Sequence, residues 1–322
     1  MDAQKLINIL KGHKVYLQTH DFPDPDALAS AYGMQVYLAN FGIDTEIVYK
    51  GEVEKISTRR MFEEFGITAK NIKDVQNMAA DDYIVYVDVQ KLNSNVTDFI
   101  GNEIACIDHH PTVGEGAEYL YKDVRICGAC ASIVADYFME SNLPIDEQLA
   151  TILLYGMKMD TDSFNRGVTE FDVRMYLNLI GPADNAKIVS LYNNSMELSD
   201  LYAYGEAIKN IKVYDNIGFA NIEFECPDPL IAMVSDFILQ LDVVEFAVVY
   251  ASRKGGYKFS IRNENGAMDA GELIACALEG VGNGGGHASM AGGIIPAEQM
   301  NLLGDDIHQA IRTRFLDAVG KR

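Results

Sequence analysis

Aspartate and histidine residues recur in short clusters through the first half of the chain. They are His20, Asp24, Asp26, Asp88, Asp108, His109, His110 and Asp160. Carboxylates packed together repel one another and acquire raised pKa values unless cations neutralise them. Imidazole and carboxylate ligands together suit Mn²⁺, Fe²⁺, Co²⁺ or Zn²⁺ better than Ca²⁺. A pair of such ions about 3.5–4 Å apart can hold a phosphoryl oxygen, generate hydroxide and stabilise a leaving oxygen.

The predicted secondary structure places these side chains where elements end. Buried strands are predicted over residues 15–20, 83–90 and 103–110, and a helix over 147–161. Between them the pattern predicts a strand over 43–51 and helices over 27–41, 59–67 and 130–141. Strands that alternate with helices indicate a mostly parallel α/β sheet, in which ligands bind beyond the carboxyl ends of the strands. The clustered residues are therefore expected to converge on one crevice.

Each aspartate taken alone also has a local explanation. Asp26 lies at the start of the helix predicted over 27–41 and could cap it. A calcium-binding EF-hand loop over DFPDPDALASA is excluded, because its glycine and distal glutamate are missing. The repeated placement of the clusters at element ends favours a shared metal site.

The second half of the chain has a different pattern. Residues 173–211 are predicted to be largely helical, with a break at Gly181–Pro182. Strands are predicted over 212–224, 245–253 and 256–263, with a tight hairpin at Gly255–Gly256, followed by a final helix over 301–319. We therefore expect an α/β domain over 1–182, a helical connector over 183–200 and a smaller α/β domain over 201–322, with an active site in the cleft between the domains.

A glycine-rich segment, GNGGGHASMAGG, lies near the C-terminus. Gly280, Gly282 and Gly285 fit a GxGxxG pattern, but a dinucleotide fingerprint should follow a strand and open a helix. A helix-like run precedes it here, so a nicotinamide-binding function is rejected. Bare glycines let the backbone approach an anion closely, and His287 and Arg262 could then bind a phosphate or base. For Arg262 the alternative is an ordinary surface charge on a strand.

The composition narrows the classes of partner. The chain has 322 residues and a formal charge of 26 − 47 = −21. So acidic a surface disfavours binding to long nucleic acid, but it allows a small phosphorylated substrate where cations reverse the potential locally. No secretory leader or apolar stretch of roughly 18 residues is evident. The five cysteines, including Cys127 and Cys130 in a single CxxC, are expected to be reduced packing residues of a cytoplasmic protein.

Five segments resemble the motifs of the DHH phosphoesterases and their accompanying DHHA1 domain. They are THDFPDPDALASA, VYVDVQ, CIDHHP, GMKMDTDSF and, for DHHA1, GNGGGHASMAGG. Their order and spacing are similar to the family pattern over about residues 15–175 and again near the C-terminus. The resemblance implies a DHH domain over 1–182 and a DHHA1 substrate-binding domain over 201–322.

The resemblance also implies a role for each matched position. His20, Asp24 and Asp88 would bind one divalent cation, and Asp26, Asp88, His109 and Asp160 the other. Family position favours Asp160 over Asp162 as the ligand. His110 would contact the scissile phosphate and protonate the leaving oxygen, and Asp108 would orient its neighbours. Arg262, Gly284, Gly285, Gly286 and His287 would bind substrate. Mn²⁺ is the expected metal, with Mg²⁺, Co²⁺ or Fe²⁺ as alternatives.

The resemblance implies hydrolysis of a small nucleotide. The leading expectation is a nanoRNase that cleaves short oligoribonucleotides such as pApA, or 3′-phosphoadenosine 5′-phosphate. A phosphodiesterase of cyclic dinucleotides such as c-di-AMP is the nearest alternative. An inorganic pyrophosphatase is a more distant one, because Ser252-Arg253-Lys254 only superficially resembles the basic motif of those enzymes. A processive exonuclease is disfavoured by the acidic charge. A non-enzymatic sensor would be expected to lack ligands that are all present here. The family allows a homodimer.

Overall fold

The computed structural model describes residues 3–53, 56–93, 95–112, 118–193 and 196–320. The chain divides into two compact units, Met1–Ser195 and Met196–Arg322. The connector predicted over 183–200 includes residues 194 and 195, which lie outside the described residues.

Unit 1 is built from strands that alternate with helices, as the sequence predicted. Its elements are α1 (Ala3–Leu10), β1 (Val15–Gln18), α2 (Pro25–Ala39), β2 (Thr45–Tyr49), α3 (Ile56–Phe65), β3 (Ala69–Asn71), β4 (Tyr83–Val87), β5 (Asn102–Asp108), β6 (Tyr121–Val124), α4 (Cys130–Glu140), α5 (Glu147–Asp160), α6 (Glu170–Leu179) and α7 (Asn185–Asn193). The predicted break at Gly181–Pro182 is confirmed, since it falls between α6 and α7. The short α1, β3 and β6 were not predicted.

The strands of unit 1 described here form one parallel sheet in the order β3-β2-β1-β4-β5-β6. Both faces are covered, because alternate side chains of each strand enter different apolar clusters. In β1, for example, Val15 and Leu17 belong to the apolar cluster that includes residues of α2 and α5, and Tyr16 belongs with Tyr86 to the cluster on the other face. Because β1, β4 and β5 are neighbours and run parallel, their carboxyl ends lie side by side at one edge of the sheet.

Unit 2 is a mixed α/β unit. Its elements are α8 (Asp200–Asn210), β7 (Lys212–Tyr214), β8 (Ile217–Glu225), α9 (Asp228–Leu239), β9 (Phe246–Arg253), β10 (Gly256–Asn263), α10 (Ala270–Leu278), β11 (Asn283–Gly286), β12 (Met290–Ile295) and α11 (Ile307–Gly320). The strands follow the order β11-β12-β10-β9-β8-β7 in the described part of this unit. Strand β8 is parallel to β9, and the remaining pairs are antiparallel. The α/β class predicted for both halves is confirmed.

Three details of unit 2 differ from the predicted pattern. Residues 212–224 form a hairpin, because Asp215 adopts a left-handed backbone between β7 and β8. The β9–β10 turn is Lys254–Gly255, not Gly255–Gly256, since Gly256 already pairs with Arg253. The final helix begins only at Ile307, after a 3₁₀ segment over Ala297–Leu303. Helix α9 and strands β11 and β12 were not predicted.

In the described part of the chain, no helix has both the length and the apolar character to cross a membrane.

Candidate metal centre

Two aspartates at the start of α2, Asp24 and Asp26, face different surroundings. Asp24 is the N-cap of α2, where its Oδ1 accepts hydrogen bonds from the backbone nitrogens of Asp26 (3.0 Å) and Ala27 (3.1 Å). The interpretation of Asp26 as this cap is therefore wrong. Pro25 occupies the first helical position, where its missing N–H costs nothing, so the helix starts two residues earlier than predicted.

Asp26 points into the interior of unit 1. It is 1% exposed, and its two carboxylate oxygens accept from Cys130 N (2.7 Å) and Ala131 N (3.0 Å). These nitrogens lie in the first turn of α4, where the unpaired N–H groups of a helix favour negative charge. Helix α4 therefore holds the Asp26 carboxylate from one side.

Asp88 follows β4 and occupies the middle of the cluster. Its backbone is left-handed (φ 63°), a conformation that aspartate tolerates better than most residues. The side chain is 3% exposed, with Oδ2 lying 3.8 Å from His20 Nε2 and Oδ1 lying 3.4 Å from His109 Nε2. Asp88 thus lies between two histidines that come from different strands.

Both of these histidines have one ring nitrogen committed to a backbone carbonyl. His20 Nδ1 lies 2.8 Å from Asp21 O, and His109 Nδ1 lies 3.0 Å from Cys127 O. A carbonyl can only accept, so each Nδ1 donates its proton and each Nε2 faces Asp88. This is the orientation that metal-binding histidines adopt when an outer hydrogen bond sets their tautomer.

Asp160 is the last residue of α5, and its Oδ2 lies 3.4 Å from His109 Nε2. The candidate ligand atoms fall into overlapping groups in which all atoms lie within 4.8 Å of one another. One group is His20, Asp24 and Asp88, another is Asp26, His109 and Asp160, and a third is Asp88, His109 and His110. The structure therefore brings together every residue that the sequence predicted as a ligand.

His110 and Asp108 form a pair beside this cluster. His110 Nδ1 lies 2.9 Å from Asp108 Oδ1, and Gln90 Nε2 donates to Asp108 Oδ2 at 2.6 Å. Asp108 is fully buried, while the His110 side chain is 46% exposed. The Nε2 atom of His110 is therefore available to a partner outside the pair. Gln90 was missed by sequence reasoning, although its position two residues after Asp88 was a usable signal.

The carboxylates dominate the titration of the cluster. Burial lowers the pKa of the His109 imidazole, but Asp88, Asp26 and Asp160 outweigh it and raise that pKa to about 11. Burial also lowers the pKa of the His20 imidazole, but nearby carboxylates outweigh burial and raise that pKa to about 9. Burial and neighbouring carboxylates raise the pKa of Asp160 to about 6 and that of Asp26 well above its ordinary value. Without cations, the site therefore retains protons.

The buried atoms of this cluster fit a divalent cation. Asp88 Oδ1 and His109 Nε2 are both buried without a hydrogen-bond partner in the part of the chain that the structure describes. Leaving such polar atoms unpaired costs roughly 1–3 kcal/mol each, so their persistence requires an explanation. A cation bound between them would satisfy both atoms and neutralise the crowded carboxylates. The donor set, imidazole nitrogens with carboxylate oxygens, suits Mn²⁺ and related ions.

Two glycines of the glycine-rich segment of unit 2 are packed too closely to carry a side chain. A Cβ atom on Gly284 would lie 2.7 Å from Ile274 Cγ1, and one on Gly286 would lie 2.6 Å from Met290 O. Only a residue without a side chain fits at these two positions of β11. Gly285 is exposed, and a Cβ there would meet nothing within 4 Å. An anion could therefore approach the backbone closely at Gly285. The segment continues directly into β12 and not into a helix.

The two predicted substrate-binding side chains of unit 2 differ in their surroundings. His287 is exposed at the tip between β11 and β12, where its backbone nitrogen donates to Met290 O at 2.8 Å. Arg262 is paired with Asp236 of α9 through Nε (2.5 Å) and also donates to Ser260 Oγ (3.1 Å). To bind a phosphate, Arg262 would therefore have to contact it alongside Asp236 or break its bond to Asp236.

Fold and site together define a two-unit α/β protein with a carboxylate–histidine metal centre at the carboxyl edge of a parallel sheet. The model of the DHH family, N-terminal domain, matches residues 14–157, and that of the DHHA1 domain matches residues 216–313. The chain therefore contains a DHH-family N-terminal domain and a DHHA1 domain.

Relatives of known sequence include an uncharacterized protein of Methanocaldococcus jannaschii, 27% identical over 94% of this chain and 63% of its own length. A probable manganese-dependent inorganic pyrophosphatase of Streptococcus pyogenes is 30% identical over 46% of this chain and 48% of its own length. This chain thus spans about half to two thirds of these relatives. An exopolyphosphatase-related protein of Bacteroides fragilis has the same fold, with a TM-score of 0.74, 18% identity and coverage of 99% of this chain and 94% of its own.

Proposed function

We propose that this protein is a phosphoesterase that uses two divalent cations, preferentially Mn²⁺, to hydrolyse short oligoribonucleotides such as pApA or 3′-phosphoadenosine 5′-phosphate. The observation that carries the proposal is the pair of unpartnered buried atoms, Asp88 Oδ1 and His109 Nε2, among converging carboxylates. The manganese dependence in the name of the streptococcal relative supports the choice of metal. Bound cations would polarise a phosphoryl oxygen and lower the pKa of a bound water.

His110 is the proposed general acid. Burial lowers the pKa of its imidazole, but the hydrogen bond to Asp108 and the charges of Asp88 and Asp108 together outweigh burial and raise it. Conversely, burial would raise the pKa of Asp108, yet His110 and Gln90 hold it below its ordinary value. The pair therefore favours a proton on His110, which Nε2 can deliver to the leaving oxygen. Asp108 keeps the ring in the required orientation.

The proposed partner is a small nucleotide, not long nucleic acid. The net charge of −21 opposes a polyanion, whereas the basic His287 and the open backbone at Gly285 offer a local contact for a terminal phosphate. We also propose that the protein acts in the cytoplasm, since its five cysteines are free thiols, and that it functions without a membrane partner, as a monomer or a homodimer.

Inorganic pyrophosphate is the second candidate substrate. It is favoured by the partial similarity to the streptococcal pyrophosphatase, and the matched DHHA1 domain supports the nucleotide instead. Turnover with Mn²⁺ should be compared for pApA, 3′-phosphoadenosine 5′-phosphate, c-di-AMP and pyrophosphate. We expect the first two to give the highest kcat/KM. Activity on pyrophosphate alone would reject the nucleotide proposal, and no activity on any of the four would reject the phosphoesterase.

The His287→Ala variant tests the role of unit 2. We expect it to raise the KM for pApA by about tenfold, because one charge-assisted hydrogen bond contributes roughly 1.5–3 kcal/mol. Metal content should stay unchanged, since the candidate ligands all lie in unit 1. Steady-state kinetics and elemental analysis provide the two measurements. The matched control is Ser289→Ala at the same exposed tip. Loss of metal, or a KM equal to that of the control, would contradict the assignment.

A further inference from the structure

A buried carboxylate outside the motif residues connects three parts of unit 1. Asp172 lies in the first turn of α6 and is fully buried. Its Oδ1 accepts from Ser132 Oγ at 2.6 Å. Its Oδ2 accepts from Gly128 N (2.8 Å), Thr169 N (2.8 Å) and Thr169 Oγ1 (2.7 Å). The bonds to Thr169 cap α6, but those to Gly128 and Ser132 reach a separate segment 40 or more residues away.

That segment, residues 127–132, makes the backbone contacts to two candidate ligands. Cys127 O accepts from His109 Nδ1 at 3.0 Å. The nitrogens of Cys130 and Ala131 donate to Asp26 at 2.7 and 3.0 Å. Asp172 accepts hydrogen bonds from Gly128 and Ser132 of this segment, within a few residues of all three contacts. A shift of the segment would therefore displace His109 and Asp26 together.

The same segment also packs against Thr161, the neighbour of a third candidate ligand, Asp160. A Cβ atom on Gly128 would lie 2.7 Å from Thr161 Cγ2 and 3.0 Å from Asp172 Oδ2. Thr161 directly follows Asp160 and caps the C-terminus of α5, with its hydroxyl donating to Met157 O at 2.6 Å. Residues 127–132 thus hold Asp26 and His109 through backbone hydrogen bonds and pack against the neighbour of Asp160. Asp26, His109 and Asp160 form one of the candidate cation groups.

The other candidate group has different supports. His20 Nδ1 is held by Asp21 O, and Asp24 is held by the first turn of α2. Asp21 is in turn fixed by Thr97, which donates to it from its nitrogen (3.2 Å) and its hydroxyl (2.7 Å). These contacts belong to the loops after β1 and β4, and not to α4 or α6.

We propose that Asp172 is a positioning residue that sets the geometry of one cation site, formed by Asp26, His109 and Asp160, without setting the geometry of the other. The proposal rests on the proposed function, because it requires that the cluster binds two cations. Asp172 is not one of the candidate ligands. It acts through residues 127–132, in the way that outer hydrogen bonds orient metal ligands.

Metal titration of the full chain provides the test. Wild-type protein, freed of metal by chelation, is expected to bind two Mn²⁺ ions, measured by calorimetry and by the loss of the free Mn²⁺ electron paramagnetic resonance signal. Asp172→Ala should weaken one of the two ions by roughly 10–100-fold, as is typical for the loss of an outer ligand contact. The second ion should keep its affinity within about twofold.

The conservative variant separates geometry from charge. In Asp172→Asn, the amide oxygen can accept from Gly128 and Thr169 while the amide nitrogen donates to Ser132 Oγ, so the network is kept. We expect near wild-type affinity for both ions. Ser132→Ala removes one of the bonds and should weaken the same ion by several-fold. Asp184→Ala is the matched control, since Asp184 caps α7 by accepting from Lys187 N at 3.0 Å and lies in the same unit.

The outcomes are distinct. Fewer than two ions on the wild-type protein would reject the proposed function. Two ions on wild type with unchanged affinities in Asp172→Ala and Ser132→Ala would reject the positioning role. Equal weakening of both ions, or the same weakening in Asp184→Ala, would show a general loss of structure and would also reject it. If circular dichroism shows that Asp172→Ala does not fold, Ser132→Ala and Asp172→Asn decide the question.

Discussion

Replacing Asp88 by alanine is expected to abolish nearly all turnover, lowering kcat/KM by about a thousandfold or more. Asp88 is the carboxylate closest to both halves of the cluster, with His20 at 3.8 Å and His109 at 3.4 Å. Its removal would cost both cations a ligand, and each 1.4 kcal/mol of lost transition-state stabilisation lowers the rate by about tenfold. The measurement is steady-state hydrolysis of pApA with Mn²⁺, together with metal content after dialysis.

Two variants control this prediction. Asp88→Asn keeps the size of the side chain and tolerates the left-handed backbone, so any loss of activity reports the charge and not strain at φ 63°. Asp162→Asn changes an exposed aspartate with a similar backbone (φ 48°), two residues after Asp160, and should leave the rate within about twofold. A near wild-type rate with full metal occupancy in Asp88→Ala would defeat the assignment of Asp88 as the shared ligand.

Divalent cations are expected to reverse the pH dependence of stability. In metal-free protein, the pKa of His20 is raised from 6.5 to about 9 and that of Asp160 from 3.8 to about 6. A group whose pKa is higher in the folded state stabilises the fold below its unfolded pKa, and this contribution is lost as the pH rises through the folded pKa. The metal-free protein should therefore lose stability between about pH 4 and 6 through Asp160, and between about pH 6.5 and 9 through His20.

Bound cations remove this penalty, because they require the deprotonated ligands and displace the protons. At a free concentration 100 times its Kd, a ligand specific for the folded state adds about 2.7 kcal/mol to the free energy of unfolding. The increase in Tm caused by Mn²⁺ should accordingly be larger at pH 8.5 than at pH 6.5. Thermal unfolding followed by circular dichroism, with and without chelator, measures this difference.

Proton release gives an independent measurement of the same effect. Calorimetric titration with Mn²⁺ in two buffers of different ionisation enthalpy should report protons released on binding, with more released at pH 6.5 than at pH 9.5. His110→Ala is a useful companion, since His110 is held by Asp108 outside the two proposed ligand sets. Equal Tm shifts at both pH values, or binding without proton release, would show that the raised pKa values do not belong to the metal ligands.

Three of the candidate ligands were predictable because they follow strands of one parallel sheet. His20, Asp88 and His109 come directly after or at the ends of β1, β4 and β5, whose buried runs of branched and aromatic residues are readable as strands. In a parallel sheet with short connections, the carboxyl ends of such strands share one edge. The position of these residues along the chain was therefore sufficient to predict that they converge.

The roles of individual side chains were less predictable. The helix predicted from residue 27 made Asp26 the candidate cap, but Asp24 holds that position and Asp26 is buried. The choice is made by α4, whose N-terminal nitrogens bind Asp26 from 104 and 105 residues away. In the same way, the CxxC segment was correctly interpreted as packing residues, but the backbone role of residues 127–132 was missed, because carbonyl and N–H groups are present at every position of any sequence.

The glycines and Arg262 show the same division. Three consecutive glycines predict close approach of something to the backbone, but only the packing of β11 shows that Ile274 and β12 make that approach at Gly284 and Gly286. The sequence shows the positive charge of Arg262, but it does not show that Asp236 is its partner. By itself the sequence determined the candidate ligands, the class of sheet and the domain families. The tertiary structure alone decided which donor each carboxylate meets, because those partners are brought together by packing between elements far apart in the chain.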